Sequence, residues 1–352
     1  NAKIVVCNYE RLHLLNSDDF ECVMLDESSI LKNFAGKTRD QIVAFIKRVP
    51  YRFLSTATPS PNDFIELGNS SEALGYMGYM DMLSRFFKST QNDQDSNNRN
   101  IGNKFRLLGH AERDFFAWVN QWSVMVKKPS DLGYSDERHA LPSLIENQIV
   151  IRNANPLAIG GQHSLFAMPA LGFSEIKAEV RSTIEQRCEA AFIQSSKQDV
   201  SVYWVNLNDE AKLIRHLDMQ SVEIKGDMSI DEKEEILLSF STGGIKKLIT
   251  KTSITAFGLN WQHCNHTTYF PTYSYEQYYQ AIRRFWRFGQ KRDVYVDLIL
   301  SDGQIKIMET LIAKKDKANT MFQQLVLHSN SSYQEIKKDF TKKTDLPKFI
   351  KL

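Results

Sequence analysis

Short apolar runs alternating with helical stretches set the rhythm of this chain. "KIVVCNYERL" is apolar and β-branched, which predicts a buried strand leading into a turn or helix. "FECVMLDESS" repeats the pattern, with Val23, Met24 and Leu25 apolar and two acids following at once. "QIVAFIKRV" has helical spacing, and "YRFLSTATPSPND" predicts a further short strand ending in Thr and Pro. Strand, helix and strand with polar residues at the strand ends is the pattern of an α/β layer on a parallel sheet. Ligands of such sheets collect beyond the carboxyl ends of the strands. Asp26, Glu27 and the residues from Ser55 to Thr58 fall there.

The rhythm breaks over residues 64–146. "DFIELGNSSEALGYMGYMDMLSRFF" and "HAERDFFAWVNQWSVMV" read as aromatic-rich helices, more consistent with a core than with base-stacking platforms. Between them "KSTQNDQDSNNRN" predicts a mobile loop, and "KKPSDLGYSDERHALPSL" a second irregular stretch. From "ENQIVIRN" onward the alternation resumes. A connector precedes the long helix "SEIKAEVRSTIEQRCEAAFIQSS", and strands follow at "SVYWVNL", "SVEIKG", "KKLIT", "HTTYF" and "DVYVDLIL". Helices are expected at "DEAKLIRHL", "DEKEEILLSF" (capped by Ser229 or Asp231), "SYEQYYQAIRRFWRF" and "DGQIKIMETLIAKKDKANTMFQQL". The expected division is an α/β part over 1–63, a helical insertion over 64–146, a linker over 147–173, a second α/β lobe over 174–325 and a basic tail over 326–352.

Composition narrows the class. At 352 residues, with 42% hydrophobic and 24% charged, the chain suits two soluble globular domains. A formal charge of +2 says nothing about nucleic acid, so any basic surface must be local. Cys7, Cys22, Cys188 and Cys264 lie far apart without a CxxC, which disfavours a zinc site or a disulfide framework. No apolar run reaches membrane-spanning length. The first residue is Asn1 and its surroundings read as a mid-domain strand, so the expectation is a chain that begins partway through a longer, cytoplasmic protein.

Asp26-Glu27 after a strand is either a solvated acidic pair or a site in which Asp26 orients Mg²⁺ on a nucleotide and Glu27 polarises the attacking water. Hydroxyls of Thr56 and Thr58 at the end of the neighbouring strand favour the second reading. In "YSYEQYYQAIRRFWRFGQKRD" helical spacing puts Gln280, Arg284 and Arg287 on one face. Such arginines either coat a basic solvated helix or act as fingers neutralising a transferring phosphoryl. Gly36-Lys37-Thr38 has the ending of a phosphate loop, but Leu31 stands where its first glycine should be, and it follows the acids; it is expected to start a helix carrying Ile42 and Val43.

Taken together these motifs resemble superfamily 2 helicases, and most closely the chromatin-remodeller (Swi/Snf-like) branch with its phage and prophage relatives. The matching residues are "NYERL", "DESSILKN", Thr56-Ala57-Thr58-Pro59-Ser60-Pro61-Asn62, "FGLNWQ" with Gly258 and Asn260, and Gln280, Ala281, Arg284, Arg287, Gly289 and Gln290. The family's paired glycines of the fifth motif are Thr255-Ala256 here. The resemblance implies an α/β fold of two RecA-like lobes, the first incomplete and carrying a helical insertion, with ATP and Mg²⁺ as cofactors. It implies Asp26 on Mg²⁺, Glu27 on the water, Thr56, Ala57 and Thr58 coupling hydrolysis to movement, and Arg284 and Arg287 at the transferring phosphate. Gln280, Gly258 and Asn260 would contact the nucleotide. DNA, duplex more than single-stranded, would be the partner, reached by Lys251, Thr252, Lys127 and Lys128, alongside phage or host replication and modification proteins. The phosphate loop such a site requires would lie upstream of Asn1. If the chain is complete as given, the alternative is a non-hydrolysing nucleic-acid-binding or regulatory module.

Overall fold

The computed structural model describes residues 3–32, 36–60, 63–89, 105–152, 158–159, 162–163, 173–255, 259–272 and 274–337. The chain forms two compact units, one of residues 1–135 with 316–352 and the other of residues 136–315. No described helix is long and apolar enough to cross a membrane.

In the first unit, β1 (Cys22–Leu25) and β2 (Tyr51–Leu54) pair in parallel, with Leu25 opposite Leu54. The crossover helix α1 (Lys37–Ile46) buries Arg39, Ile42, Val43 and Ile46, an i, i+3, i+4, i+7 stripe; the three apolar residues pack with Leu25, Leu31 and Ala73, and Arg39 meets Glu72 at 2.8 Å. Lys37 is the first residue of α1 and Gly36 its N-cap, so Gly-Lys-Thr opens a helix as its spacing predicted. Residues from Ile4 to Val6 are not the expected buried strand: Ile4 is 82% and Val6 90% exposed, and the chain then winds into a 3-10 helix over Tyr9–Leu14. An apolar β-branched run specifies an extended backbone, but a strand also needs a neighbour to bond, and β1 pairs only with β2 among the described residues.

The aromatic stretch builds its own core. Helices α2 (Leu67–Leu74), α3 (Tyr79–Phe86) and α4 (Glu112–Asn120), with the hairpin β3 (Phe87–Ser89) and β4 (Phe105–Leu107), enclose Phe86, Phe115, Phe116 and Trp118. Edge-to-face pairs such as Phe86–Phe115 and Phe64–Phe116, with centroids 5.6 and 5.5 Å apart, fix the rings. These aromatics are core. Of the polar loop expected over residues 88–100, Lys88 and Ser89 belong instead to β3, and the remainder lies outside the described residues.

The second unit is a six-stranded parallel sheet with helices around it, the architecture of a RecA-like lobe. Its strands are β5 (Leu144–Ile151), β8 (Ser201–Trp204), β9 (Ser221–Glu223), β10 (Lys247–Thr250), β11 (His266–Tyr269) and β12 (Val294–Ser301), in the order β5-β12-β11-β8-β10-β9. A two-residue hairpin, β6 (Ala158–Ile159) with β7 (Gln162–His163), lies apart from it. Every residue of β8, β10 and β11 is buried, polar ones such as Ser201, Lys247 and His266 included, so these strands show no in–out alternation. Helices α5 (Phe173–Ser182), α6 (Ile184–Ser196), α7 (Asn208–Leu217), α8 (Ile230–Ser241), α9 (Thr252–Thr255), α10 (Tyr275–Ile282) and α11 (Ile305–Lys337) complete the chain. Ser229, not Asp231, caps α8, accepting from the Glu232 N–H at 3.2 Å while the Glu232 carboxylate takes the Ser229 N–H at 2.8 Å.

Four expectations shift. The connector expected from residue 147 gives way to β5, which pairs with β12 along its full length from Leu144. The single helix expected over residues 174–196 breaks at Thr183, whose hydroxyl donates back to the Glu179 carbonyl at 2.8 Å and accepts from Arg187 Nε. Helix α10 ends at Ile282 instead of running on through Phe288. Helix α11 continues to Lys337, with Met321, Leu325 and Val326 in the aromatic core of the first unit. The rest of the basic tail lies outside the described residues.

Candidate functional site

Asp26 and Glu27 leave the carboxyl end of β1. The ladder carries on past both strand ends, with Ser55 N–H donating to the Leu25 carbonyl at 2.8 Å and Ser28 N–H to the Ser55 carbonyl at 2.9 Å. These two bonds pin the acids beside the start of the Ser55–Thr58 segment. Glu27 takes a left-handed backbone, φ 50°, the one such non-glycine residue among those described. That conformation costs a β-carbon-bearing residue about 1–2 kcal/mol, and the Asp26 Oδ1, accepting the Glu27 N–H at 3.0 Å, partly offsets it. Tyr9 hydroxyl donates to the Asp26 carbonyl at 2.5 Å. Burial, then the charges of Asp26 and Glu27, push that hydroxyl up to about 12, so it stays a donor at neutral pH. Asp26 is exposed and Glu27 half-buried.

Across from the acids, Thr56 Oγ1 accepts the Thr58 N–H at 3.1 Å, and Ala57 is exposed at the turn. Thr58 is 9% exposed, and its hydroxyl is sealed from solvent with no hydrogen-bond partner among the described residues. An exposed carboxylate with hydroxyls at the neighbouring strand end is a hard-oxygen donor set. It suits Mg²⁺, which takes one or two protein carboxylates and fills its other positions with water and phosphate. The residues present fit that ion.

In the second unit the expected helical face of Gln280, Arg284 and Arg287 does not form, because α10 stops at Ile282. Gln280 is buried within the helix. Arg284 is 7% exposed; its backbone carbonyl accepts the Trp261 N–H at 2.9 Å and its guanidinium donates to the Leu259 carbonyl at 2.8 Å. Arg287 is half-buried and donates to Asn260 Oδ1. Arg283 lies over Tyr279 and Trp286, 5.2 and 4.7 Å from their ring centroids. The turn after α10 is thus laid along the 259–264 loop, and those long-range bonds end the helix. Trp261, wholly buried against Trp204, Phe240 and Phe285, anchors the loop from beneath. Gly258 lies outside the described residues.

The expected nucleic-acid contacts divide between the units. Lys251 Nζ donates to Asn208 Oδ1 at 2.6 Å, and Thr252 is buried as the first residue of α9. Lys127 and Lys128 have exposed side chains while their N–H groups donate to Asp131 Oδ2 at 2.8 and 3.0 Å.

Two buried networks escaped the sequence reading. Arg187 meets Glu210 at 2.8 Å with both side chains out of solvent, and Glu210 Oε2 accepts the N–H groups of Asn206 and Leu207 at 2.9 Å each. This fixes the turn at the carboxyl end of β8. At the other end of the sheet Ser201 Oγ bonds His266 Nδ1 and His266 Nε2 bonds Asp297 Oδ2, both at 2.8 Å, and Asn147 Nδ2 donates to Asp297 Oδ1. The order of groups is that of a nucleophile–base–acid triad. Ser201 is fully buried at the first residue of β8, so no substrate reaches it, and the chain of bonds is a cross-strand staple. Only a polar residue placed within each of "SVYW", "HTTY" and "VYVDLIL" hinted at it.

Residues 182–289 match the family model of the helicase conserved C-terminal domain. Over those residues the chain has a helicase C-terminal domain. Gln280, Arg284 and Arg287, with Asn260, Lys251 and Thr252, all lie inside the matched span. No curated protein matches the chain. Among solved structures it is similar to S. cerevisiae Dbp5 bound to RNA and ADP BeF3 (12% identity over 87% of this chain and 63% of that one, TM-score 0.43). A point variant of Dbp5 in the same complex gives 11% identity over 90% of this chain and 66% of that one, TM-score 0.46. The C-terminal part of the Fun30 ATPase domain gives 14% over 41% and 51%, TM-score 0.31. The chain therefore spans just under two thirds of the Dbp5 chains and about half of the Fun30 one.

Proposed function

We propose that the chain works in an ATP-dependent nucleic-acid motor of the chromatin-remodeller branch of superfamily 2, of phage or prophage type, acting in the cytoplasm on duplex DNA. The observation that carries the reading is Arg287, half-buried and held by Asn260 in the last turn of a helicase C-terminal domain. A guanidinium fixed in this way stabilises charge on a transferring phosphoryl and contributes about 10³–10⁵ in rate where it acts as a finger. Arg284, turned onto the Leu259 carbonyl, serves by holding the loop that carries Asn260. Gln280 and Gly258 complete the nucleotide contacts on this lobe.

On the other unit Glu27, with its backbone set against the end of β2, orients the attacking water. Asp26 would hold Mg²⁺, which when bound to the nucleotide neutralises phosphate charge. Thr56, Ala57 and Thr58 sense the state of the nucleotide, and the sealed Thr58 hydroxyl has a hydrogen bond to give when the segment moves. Lys127, Lys128, Lys251 and Thr252 contact DNA phosphates, with phage or host replication and modification proteins as further partners.

The competing reading is a non-hydrolysing nucleic-acid-binding module, and the inward-turned Arg284 favours it. ATP turnover by the full-length protein, with and without duplex DNA, separates the two. The motor reading expects turnover that rises severalfold on adding duplex. DNA binding with no ATP turnover under either condition would establish the module.

A further inference from the structure

Gln290 closes the turn that carries Arg284 and Arg287, and its side chain is buried. Its Nε2 faces three carbonyls, those of Gln262 at 3.0 Å, Cys264 at 3.1 Å and Phe285 at 3.2 Å. Its Oε1 accepts the N–H groups of Lys291 and Arg292, both at 3.0 Å. Two amide hydrogens serve three carbonyls, so one bond is shared. A primary amide is the side-chain group that puts two donors and a double acceptor on one short stem. Glutamate in its ionised form would aim a charge at three carbonyl oxygens, and methionine would leave all five partners unbonded.

The partners of Gln290 lie on both sides of a seam. Gln262 and Cys264 belong to the loop before β11; Phe285, Lys291 and Arg292 belong to the turn after α10. The same seam is stitched by Trp261 N–H to the Arg284 carbonyl, by Gln262 Nε2 to the Phe288 carbonyl at 3.1 Å, and by Arg284 to the Leu259 carbonyl. Gly289, at φ 93°, gives the turn its left-handed step directly before Gln290. Asn260, which receives the Arg287 guanidinium, has no other tether to that turn among the bonds described than the loop it sits on.

We propose that Gln290 is the positioning residue for Arg287, acting by locking the Asn260-bearing loop to the arginine-bearing turn so that the two move as one body. What Arg287 then does rests on the nucleotide reading above; the locking does not. Gln290→Met keeps the volume and removes every bond, while Gln290→Glu keeps the acceptor half alone.

The test uses the full-length protein and two readouts: hydrogen exchange at the Trp261 amide, and steady-state ATP turnover with duplex DNA. Both variants are expected to fold, to exchange the Trp261 amide faster than the wild type, and to lose kcat by about 10²-fold with the KM for ATP little changed. In an Arg287→Ala background Gln290→Met is expected to cost no further kcat, since the group it aims is gone. Wild-type exchange at Trp261 would overturn the proposal, as would additive losses with Arg287→Ala or a rise in KM matching the fall in kcat. If the wild type turns over no ATP, the nucleotide reading fails, and the exchange result alone decides the locking. Should Gln290→Met not fold, Gln290→Glu carries both readouts.

Discussion

Arg287 and Asn260 are joined by a guanidinium-to-amide hydrogen bond that spans two loops of the second unit. Neither residue lies in a regular element. The Arg287 carbonyl accepts the Gln290 N–H at 3.0 Å, and the pair fixes where a cation stands in the second unit.

Glu27 is held in a left-handed backbone next to the end of β2. In the proposed role of Glu27 as the group that orients water, Glu27→Gln is expected to lower ATP turnover by roughly 10²–10⁴ while ATP stays bound. Rapid-filtration binding beside a turnover assay checks this. Turnover at the wild-type rate would remove Glu27 from the chemistry.

Arg187 and Glu210 form a fully buried pair whose carboxylate also holds two backbone N–H groups. Arg187→Met strands a buried charge and is expected to destabilise the second unit by about 3–5 kcal/mol. Denaturant unfolding followed by tryptophan fluorescence reads this directly. A loss below about 1 kcal/mol would mean that the pair is solvated.

Asp297 feels burial, which raises its pKa, but hydrogen bonds from His266 and Asn147 outweigh it and hold the carboxyl below its ordinary 3.8. A folded-state pKa below the unfolded one means the stabilisation is present above the ordinary carboxylate range. It is lost as pH falls through the folded value. Thermal unfolding from neutral into acid pH should show a steeper decline in the wild type than in Asp297→Asn. Parallel declines would contradict the assignment.

Lys127 and Lys128 present exposed side chains beside the Pro129–Leu132 turn. Replacing both by Ala should weaken DNA binding across sequences and reduce the salt slope by about 1 per lysine. A fluorescence titration at several salt concentrations measures it. An unchanged slope would place the DNA elsewhere.

Much of this architecture is legible in the residues. The absence of a polar–apolar alternation in β8, β10 and β11 fits a sheet buried on both faces, and the Ser229–Glu232 cap marks the start of α8 one residue in advance. Asp26-Glu27 at a strand end and Arg287 before Gly289 were readable from motif alone. What was not legible depends on distant partners. The residues of "YYQAIRRFWRF" all tolerate a helix, and α10 ends because Trp261 and Gln290 claim the backbone that follows. The Ser201–His266–Asp297 staple joins residues 65 and 31 positions apart, which no local pattern encodes. Ile4 to Val6 show the converse: local β-propensity does not make a strand without a neighbour to pair with.

The most direct test of the account is Arg287→Ala in the full-length protein, with ATP affinity and DNA-stimulated turnover measured on the same preparation. The account predicts that turnover falls by roughly 10³-fold or more while ATP binding changes little. Equal losses of binding and turnover, or turnover that survives the substitution, would contradict it.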